Sequence, residues 1–201
     1  MNKKVIITIV AIIAIIGLYC LILGTNHKKE ETNLMTGKHN VKITVKNYGE
    51  IELELDADVA PITVTNFIEL ANSKFYDGLT FHRIIKGFMI QGGDPEGAGM
   101  GGSSKKIKGE FTANGVANSI SHVRGVISMA RGGYSMDSAS SQFFIVHQDS
   151  TFLDGQYAAF GHVTSGMEVV DKIALDAKPT DDNGTIPKEN QPTIEKIEVI
   201  N

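Results

Sequence analysis

Arg83 follows His82 and precedes a series of large apolar residues, Ile84, Ile85, Phe88 and Met89, with Gln91 just beyond. A second apolar stretch, Phe143-Phe144-Ile145, follows Ser140-Ser141-Gln142, and a third holds Phe152, Leu153 and Tyr157. A guanidinium stays charged and presents a rigid fork of donors, so among apolar side chains and amides it can steady developing charge without a bond being broken. Taken singly, each residue has an ordinary reading. Arg83 would be a surface ion-pair partner, and Phe88, Met89, Phe144 and Leu153 would be buried strand residues. Other chemistries are poorly served. His82, His122, His147 and His162 have no ligand-type residue three to five positions on, and Cys20 is the sole cysteine, so no metal is expected. Ser128, Ser140 and Ser141 lack the pattern of a nucleophile elbow. Gly97–Gly102 fits G-x-G-x-x-G, but Ser103-Ser104-Lys105-Lys106 after it is no apolar-periodic helix, and no acidic residue stands near position 120. That segment reads as a loop, and no cofactor is expected.

The elements that must position these residues follow from periodicity. Val41, Ile43 and Val45 alternate with polar residues, as do Ile51, Leu53 and Leu55, and Asn47-Tyr48-Gly49 between them reads as a hairpin turn. Val64, Phe67, Ile68 and Ala71 recur at helical spacing, with Pro61 suited to the first turn. Strand-like runs follow at 79–85, 88–91, 125–130, 142–147 and 158–163, then a second helix over 167–174 and a last strand over 194–200. Seven or eight short strands with two helices point to a mainly β fold, a closed antiparallel barrel whose open ends the helices cap. The polar stretch 176–191 reads as a surface loop.

The N-terminus is a separate object. Val5 to Leu23 carry no charge, and such a run is about long enough to cross a bilayer core of roughly 30 Å. Residues 1–24 are expected to be a transmembrane signal anchor; cleavage near Gly24 is the alternative, though no clear small-x-small site follows. Lys3 and Lys4 favour the cytoplasmic side, so the remainder should face outward. Residues 25–40 are polar and aperiodic and read as a tether, leaving 41–201 as the folded domain. Residues 38–201 carry 15 Lys and Arg against 21 Asp and Glu, a net charge of −6. A domain this acidic is a poor nucleic-acid binder. No apolar stripe is left unassigned, so a monomer is expected.

Three blocks together say more than any residue alone. Phe81-His82-Arg83-Ile84-Ile85 with Gly87-Phe88-Met89 and Gln91-Gly92-Gly93-Asp94, then Ser140-Ser141-Gln142-Phe143-Phe144-Ile145, then Phe152-Leu153-Asp154-Gly155-Gln156-Tyr157 with Phe160-Gly161, resemble the cyclophilin signature in order and spacing. The resemblance spans about residues 41–200 and is to a bacterial-like branch. It implies an eight-stranded barrel with a proline-binding groove on its outer wall. It makes Arg83 the catalytic arginine. Phe88, Met89, Phe144 and Leu153 become the proline pocket, with Phe152 beside them and Tyr157 at the rim. Gln91, Gln142 and the backbone at Ala130 and Arg131 would hold the peptide, and His82 would support the wall. Phe152 stands where many eukaryotic members have Trp, Tyr157 where they have His, and Arg131 where Asn is frequent. The absent indole N–H implies weaker binding of a cyclosporin-like inhibitor.

The implied activity is peptidyl-prolyl cis–trans isomerisation, with proline-containing polypeptides as substrates. Twisting an X–Pro bond breaks amide resonance, at a barrier of about 18–20 kcal/mol. A site that favours the twisted amide over both planar forms lowers that barrier with neither nucleophile nor base. With the anchor, the expected role is folding of extracytoplasmic chains. The alternative is a tethered, chaperone-like module that binds proline-containing segments, with turnover incidental.

Overall fold

The computed structural model describes residues 33–200. The expected anchor over 1–24 and the first half of the tether, 25–32, lie outside the described residues, and Lys38–Asn40, read as the end of the tether, belong to the first strand. Among those described, no helix is long and apolar enough to cross a membrane. The folded chain reaches back to Met35, whose amide donates to the Thr65 hydroxyl (2.9 Å).

β1 (Lys38–Val45) and β2 (Gly49–Asp56) form the expected hairpin, with Val41 opposite Leu53 and Ile43 opposite Ile51. Its turn needs a left-handed residue, and Asn47 supplies one at φ 65°. α1 (Pro61–Asn72) follows. No side chain of its own caps its start. Instead the buried Glu110 carboxylate, 47 residues downstream of Thr63, accepts from the Ile62 and Thr63 amides (3.0 and 2.8 Å) and from the Thr63 hydroxyl (2.7 Å). A carboxylate there satisfies orphan donors and meets the positive end of the helix. The remaining elements are β3 (Thr80–Ile85), β4 (Met89–Asp94), β5 (Val126–Met129), β6 (Phe143–Val146), β7 (Ala159–Ser165), α2 (Met167–Asp176) and β8 (Ile194–Ile200).

The eight strands form one antiparallel sheet in the order β3-β4-β6-β5-β7-β2-β1-β8. The expected closed barrel is not met as a continuous ladder. Between the edge strands β3 and β8 the bridging is sparse: Thr80 pairs with Thr193 in an isolated bridge, and Ile194 exchanges hydrogen bonds with Leu79 and Gly78. Further along β3, the segment read as a surface loop takes the place of a ninth strand. Ile84 N–H donates to Gly184 O (2.8 Å), and Ile186 N–H to His82 O (3.0 Å). These bonds cover an edge that would otherwise expose unpaired backbone groups.

Alternation along the central strands sorts side chains to two faces. On β6, Phe143 and Ile145 enter the large inner core, while Phe144 and Val146 join a smaller cluster on the outer wall. β4 divides Ile90 from Met89, and β7 divides Phe160 from Ala159, in the same way. The inner core is aromatic at its centre. Phe143 meets Phe67, Tyr76 and Phe81 edge-on, at centroid distances of 5.4, 5.6 and 6.1 Å.

Candidate active site

A row of outward residues crosses four adjacent strands. Arg83 on β3 stands opposite Gln91 on β4, Gln91 opposite Phe144 on β6, and Phe144 opposite Ser128 on β5. A bulge at His82 sets this phase, since the β3–β4 register shifts between Phe81 and Arg83. Next to the row lies a cavity of about 430 Å³, lined by Arg83, Phe88, Met89, Gln91, Ala130, Arg131, Phe144, Phe152, Leu153 and Tyr157. Ten of the twelve residues singled out from sequence thus line one space. Gln142 lines a neighbouring cavity of about 160 Å³, which shares Gln91, Ala130 and Arg131 with the first. His82 lines neither: it is buried, and neither ring nitrogen has a hydrogen-bond partner among the described residues. Burial pushes its imidazole below the ordinary range, with Asp94 opposing.

Arg83 is held from three sides. Its Nε donates to Asn183 O (2.7 Å), its Nη1 donates to Gln91 Oε1 (3.1 Å), and its guanidinium carbon lies 5.9 Å from the centre of the Phe88 ring. Gln91 Nε2 then donates to Gln142 Oε1 (2.9 Å), and Gln142 Nε2 to Gly101 O (2.8 Å). This amide relay fixes both glutamines and the direction of the guanidinium. Nη2 has no hydrogen-bond partner among the described residues, which leaves its donors available. Half-burial draws the arginine pKa down, with Tyr157 and Asp181 opposing, yet a guanidinium remains charged at neutral pH.

The apolar walls have polar supports behind them. His122, fully buried, stands face to face with Phe144 at 6.0 Å between ring centres. Its Nδ1 lies 2.8 Å from Asp154 Oδ1 and its Nε2 lies 3.0 Å from the Ser128 hydroxyl. A carboxylate accepts only, so Nδ1 carries the proton and Nε2 accepts from Ser128. Burial lowers the His122 pKa against the pull of Asp154. Desolvation pushes the Asp154 carboxyl up, but bonds from Ser121 and from the His122 amide and ring outweigh it and hold the group below its usual range. Asp154 thereby pins the segment that carries Phe152 and Leu153. On the opposite wall, Gly87 turns at φ +83° and donates its amide to His147 Nδ1 (3.0 Å), while the His147 amide donates to Phe88 O (2.8 Å). Phe88 and Phe152 close the groove at 5.6 Å between ring centres, with Phe152 itself 66% exposed.

Sequence reasoning missed Asn183, His122, Ser128 and Asp154 as parts of this site. Asn183 is 100 residues from Arg83, in a stretch without periodicity, and no local signal marks it. The Gly97–Gly102 segment is a loop, as expected. Its Asp94 anchor accepts from the Glu96, Ala98 and Gly99 amides (2.9, 3.0 and 2.5 Å), so donors that a phosphate would need are already engaged. Among the described residues, no group of His, Cys, Asp and Glu could hold a metal ion.

Comparison with known proteins gives one consistent result. Residues 40–199 match the family model for cyclophilin type peptidyl-prolyl cis-trans isomerases. Peptidyl-prolyl cis-trans isomerase B of Bacillus subtilis is 46% identical over 140 residues, which cover 70% of this chain and 88% of the relative. A peptidyl-prolyl cis-trans isomerase of Helicobacter pylori is 45% identical over 147 residues, 72% of this chain and 85% of the relative. Among solved structures, a cyclophilin type isomerase of Cryptosporidium parvum superposes with a TM-score of 0.72 at 31% identity, over 82% of this chain and 99% of that one. A second structure of that protein, obtained in the presence of the dipeptide Ala-Pro, gives 0.71.

Proposed function

The chain belongs to the cyclophilin-type family and is a peptidyl-prolyl cis–trans isomerase, and from that premise we propose that Arg83 is its catalytic residue and the 430 Å³ cavity its proline site. The observation that carries this reading is the meeting of one half-buried guanidinium, with unengaged donors at Nη2, and an apolar wall of Phe88, Met89, Phe144 and Leu153. The prolyl ring sits against the wall while the chain on the other side of the bond turns. As the amide twists, its nitrogen regains a lone pair, and a fixed cation stabilises that state more than either planar form. The Gln91–Gln142 relay supports this by holding the fork still before the substrate arrives. Tyr157 and Phe152 form the rim, and Ala130 and Arg131 offer backbone partners to the peptide.

The site of action completes the proposal. Residues 1–24 anchor the protein in a membrane, the tether runs from 25 to the start of the folded chain at Met35, and the domain works as a monomer on the extracytoplasmic face, on proline-containing chains folding there. What supports this is the uncharged Val5–Leu23 run with Lys3 and Lys4 before it. The test is a cis–trans exchange assay on a short X–Pro peptide with the full chain in detergent, alongside protease protection of sealed vesicles. Expected are exchange well above the buffer rate, lost in Arg83→Ala, and a domain accessible from the outer face. Exchange unaffected by Arg83→Ala would remove the catalytic assignment, and a protected domain would reverse the orientation.

A further inference from the structure

Arg131 stands where the two cavities meet, and it lines both. Arg83 and Arg131 are the charged residues in these linings, and neither cavity has an aspartate or glutamate in its wall. That is a marked local reversal in a domain of net charge −6. Arg124 shows how this protein neutralises an arginine elsewhere: it makes a two-pronged pair with Asp171, at 2.7 and 2.8 Å. Arg131 has no carboxylate within 4 Å among the described residues. It is nonetheless held firmly. Its guanidinium carbon lies 5.3 Å from the centre of the Phe111 ring and 4.9 Å from that of Tyr157, its Nε donates to Gln156 O (3.0 Å), and Nη1 reaches Gly132 O at 3.4 Å. Nη2 has no partner among the described residues.

We propose that Arg131 makes the enzyme selective for proline segments that carry an aspartate or glutamate one or two residues from the proline. This rests on the reading of the larger cavity as the proline site. The distance follows from the geometry, since Arg131 lines that cavity and an extended chain advances about 3.3 Å per residue. The fork is ordered before substrate binds, so little side-chain freedom is lost when a carboxylate docks on it. The Phe111 and Tyr157 rings pack against the guanidinium, and a hydrogen bond from this charged donor to a carboxylate is stronger than a neutral one. The overall field works the other way, because an acidic domain repels an acidic peptide. A preference for acid therefore reports the local cation and not the net charge.

The experiment compares kcat/KM of the full chain on peptides identical except for Asp, Asn or Lys, placed in turn at the two positions on each side of the proline. At one position Asp is expected to exceed Asn by roughly fivefold at low salt, with Lys below both, and the gap should narrow as salt rises. Arg131→Gln should bring the Asp-to-Asn ratio close to unity, and Arg131→Lys should restore part of it. Equal turnover of all peptides by the parent protein would overturn the inference with no variant needed, and leave the isomerase reading intact. A ratio that survives Arg131→Gln would overturn it too. Turnover that survives Arg83→Ala would instead remove the reading of the groove, and this inference with it.

Discussion

Phe143 and Phe144 are adjacent in sequence, equally aromatic and both buried, yet they belong to different halves of the molecule. Phe143 points into a core where its neighbours are Phe67, Tyr76 and Phe81. Phe144 points to the outer wall, with His122 on one side, Tyr157 edge-on at 6.0 Å, and the cavity proposed as the proline site before it. The inner face is close-packed and apolar, so it contributes stability and nothing that a substrate can reach. The outer face has a cavity, an arginine and a chain of amides, held in place by polar groups behind it. One strand thus serves both purposes through its two-residue repeat.

Four experiments bear on that contrast. The largest effect belongs to Phe143→Ala, expected to cost about 3–5 kcal/mol of stability as a core aromatic is lost, in denaturant titration of the full chain. A small loss there would mean that the inner face is not the source of stability. Next is Arg83→Ala, expected to lower kcat/KM roughly a hundredfold through loss of one fixed donor, with stability nearly unchanged. A matching fall in stability would blur the two faces. Smaller again is Gln91→Ala, which frees the guanidinium without removing it. About tenfold in kcat/KM is expected, with stability changed by about 1 kcal/mol. If activity held, the relay would be packing only.

The smallest effect concerns pH. His122 and His147 support the outer face, and burial lowers both pKa values from their ordinary 6.5. A depressed imidazole stays neutral in the folded state while the unfolded chain takes up a proton. The stabilisation is therefore complete above about 6.5 and is lost as pH falls through the lower folded values. The His147 ring also has Asp171, Arg124 and Lys86 around it, the first raising its pKa and the other two lowering it. Thermal melts should begin to decline below about 6.5, whereas kcat/KM should hold until the pH falls through the lower folded values. Activity that rose on acidification would contradict the neutral state of these rings.

Much of this was legible in the chain. Strict alternation in β1 and β2, Pro61 ahead of a helical repeat, and three motif blocks in order carry the strands, the helix and the groove. What was not legible has physical reasons. Glu110 caps α1 from across the fold, and capping rules look only at neighbours in sequence. Gly184 and Ile186 pair with β3 through backbone groups alone, which leave no mark in side-chain pattern, so a seam was read as a barrel closed by strands. Phe143-Phe144 is apolar at both positions, so alternation could not say which side faced the core. The parity comes from register, with Phe144 opposite Gln91 and Ser128.

The measurement that tests the central claim most directly is exchange spectroscopy on an X–Pro peptide titrated up to saturation, which gives the on-enzyme interconversion rate and the affinity together. The account expects Arg83→Ala to slow interconversion roughly a hundredfold while the affinity changes little, because the cation acts on the twisted amide and not on the resting peptide. An unchanged rate, or a loss of affinity that explains the whole effect, would contradict it.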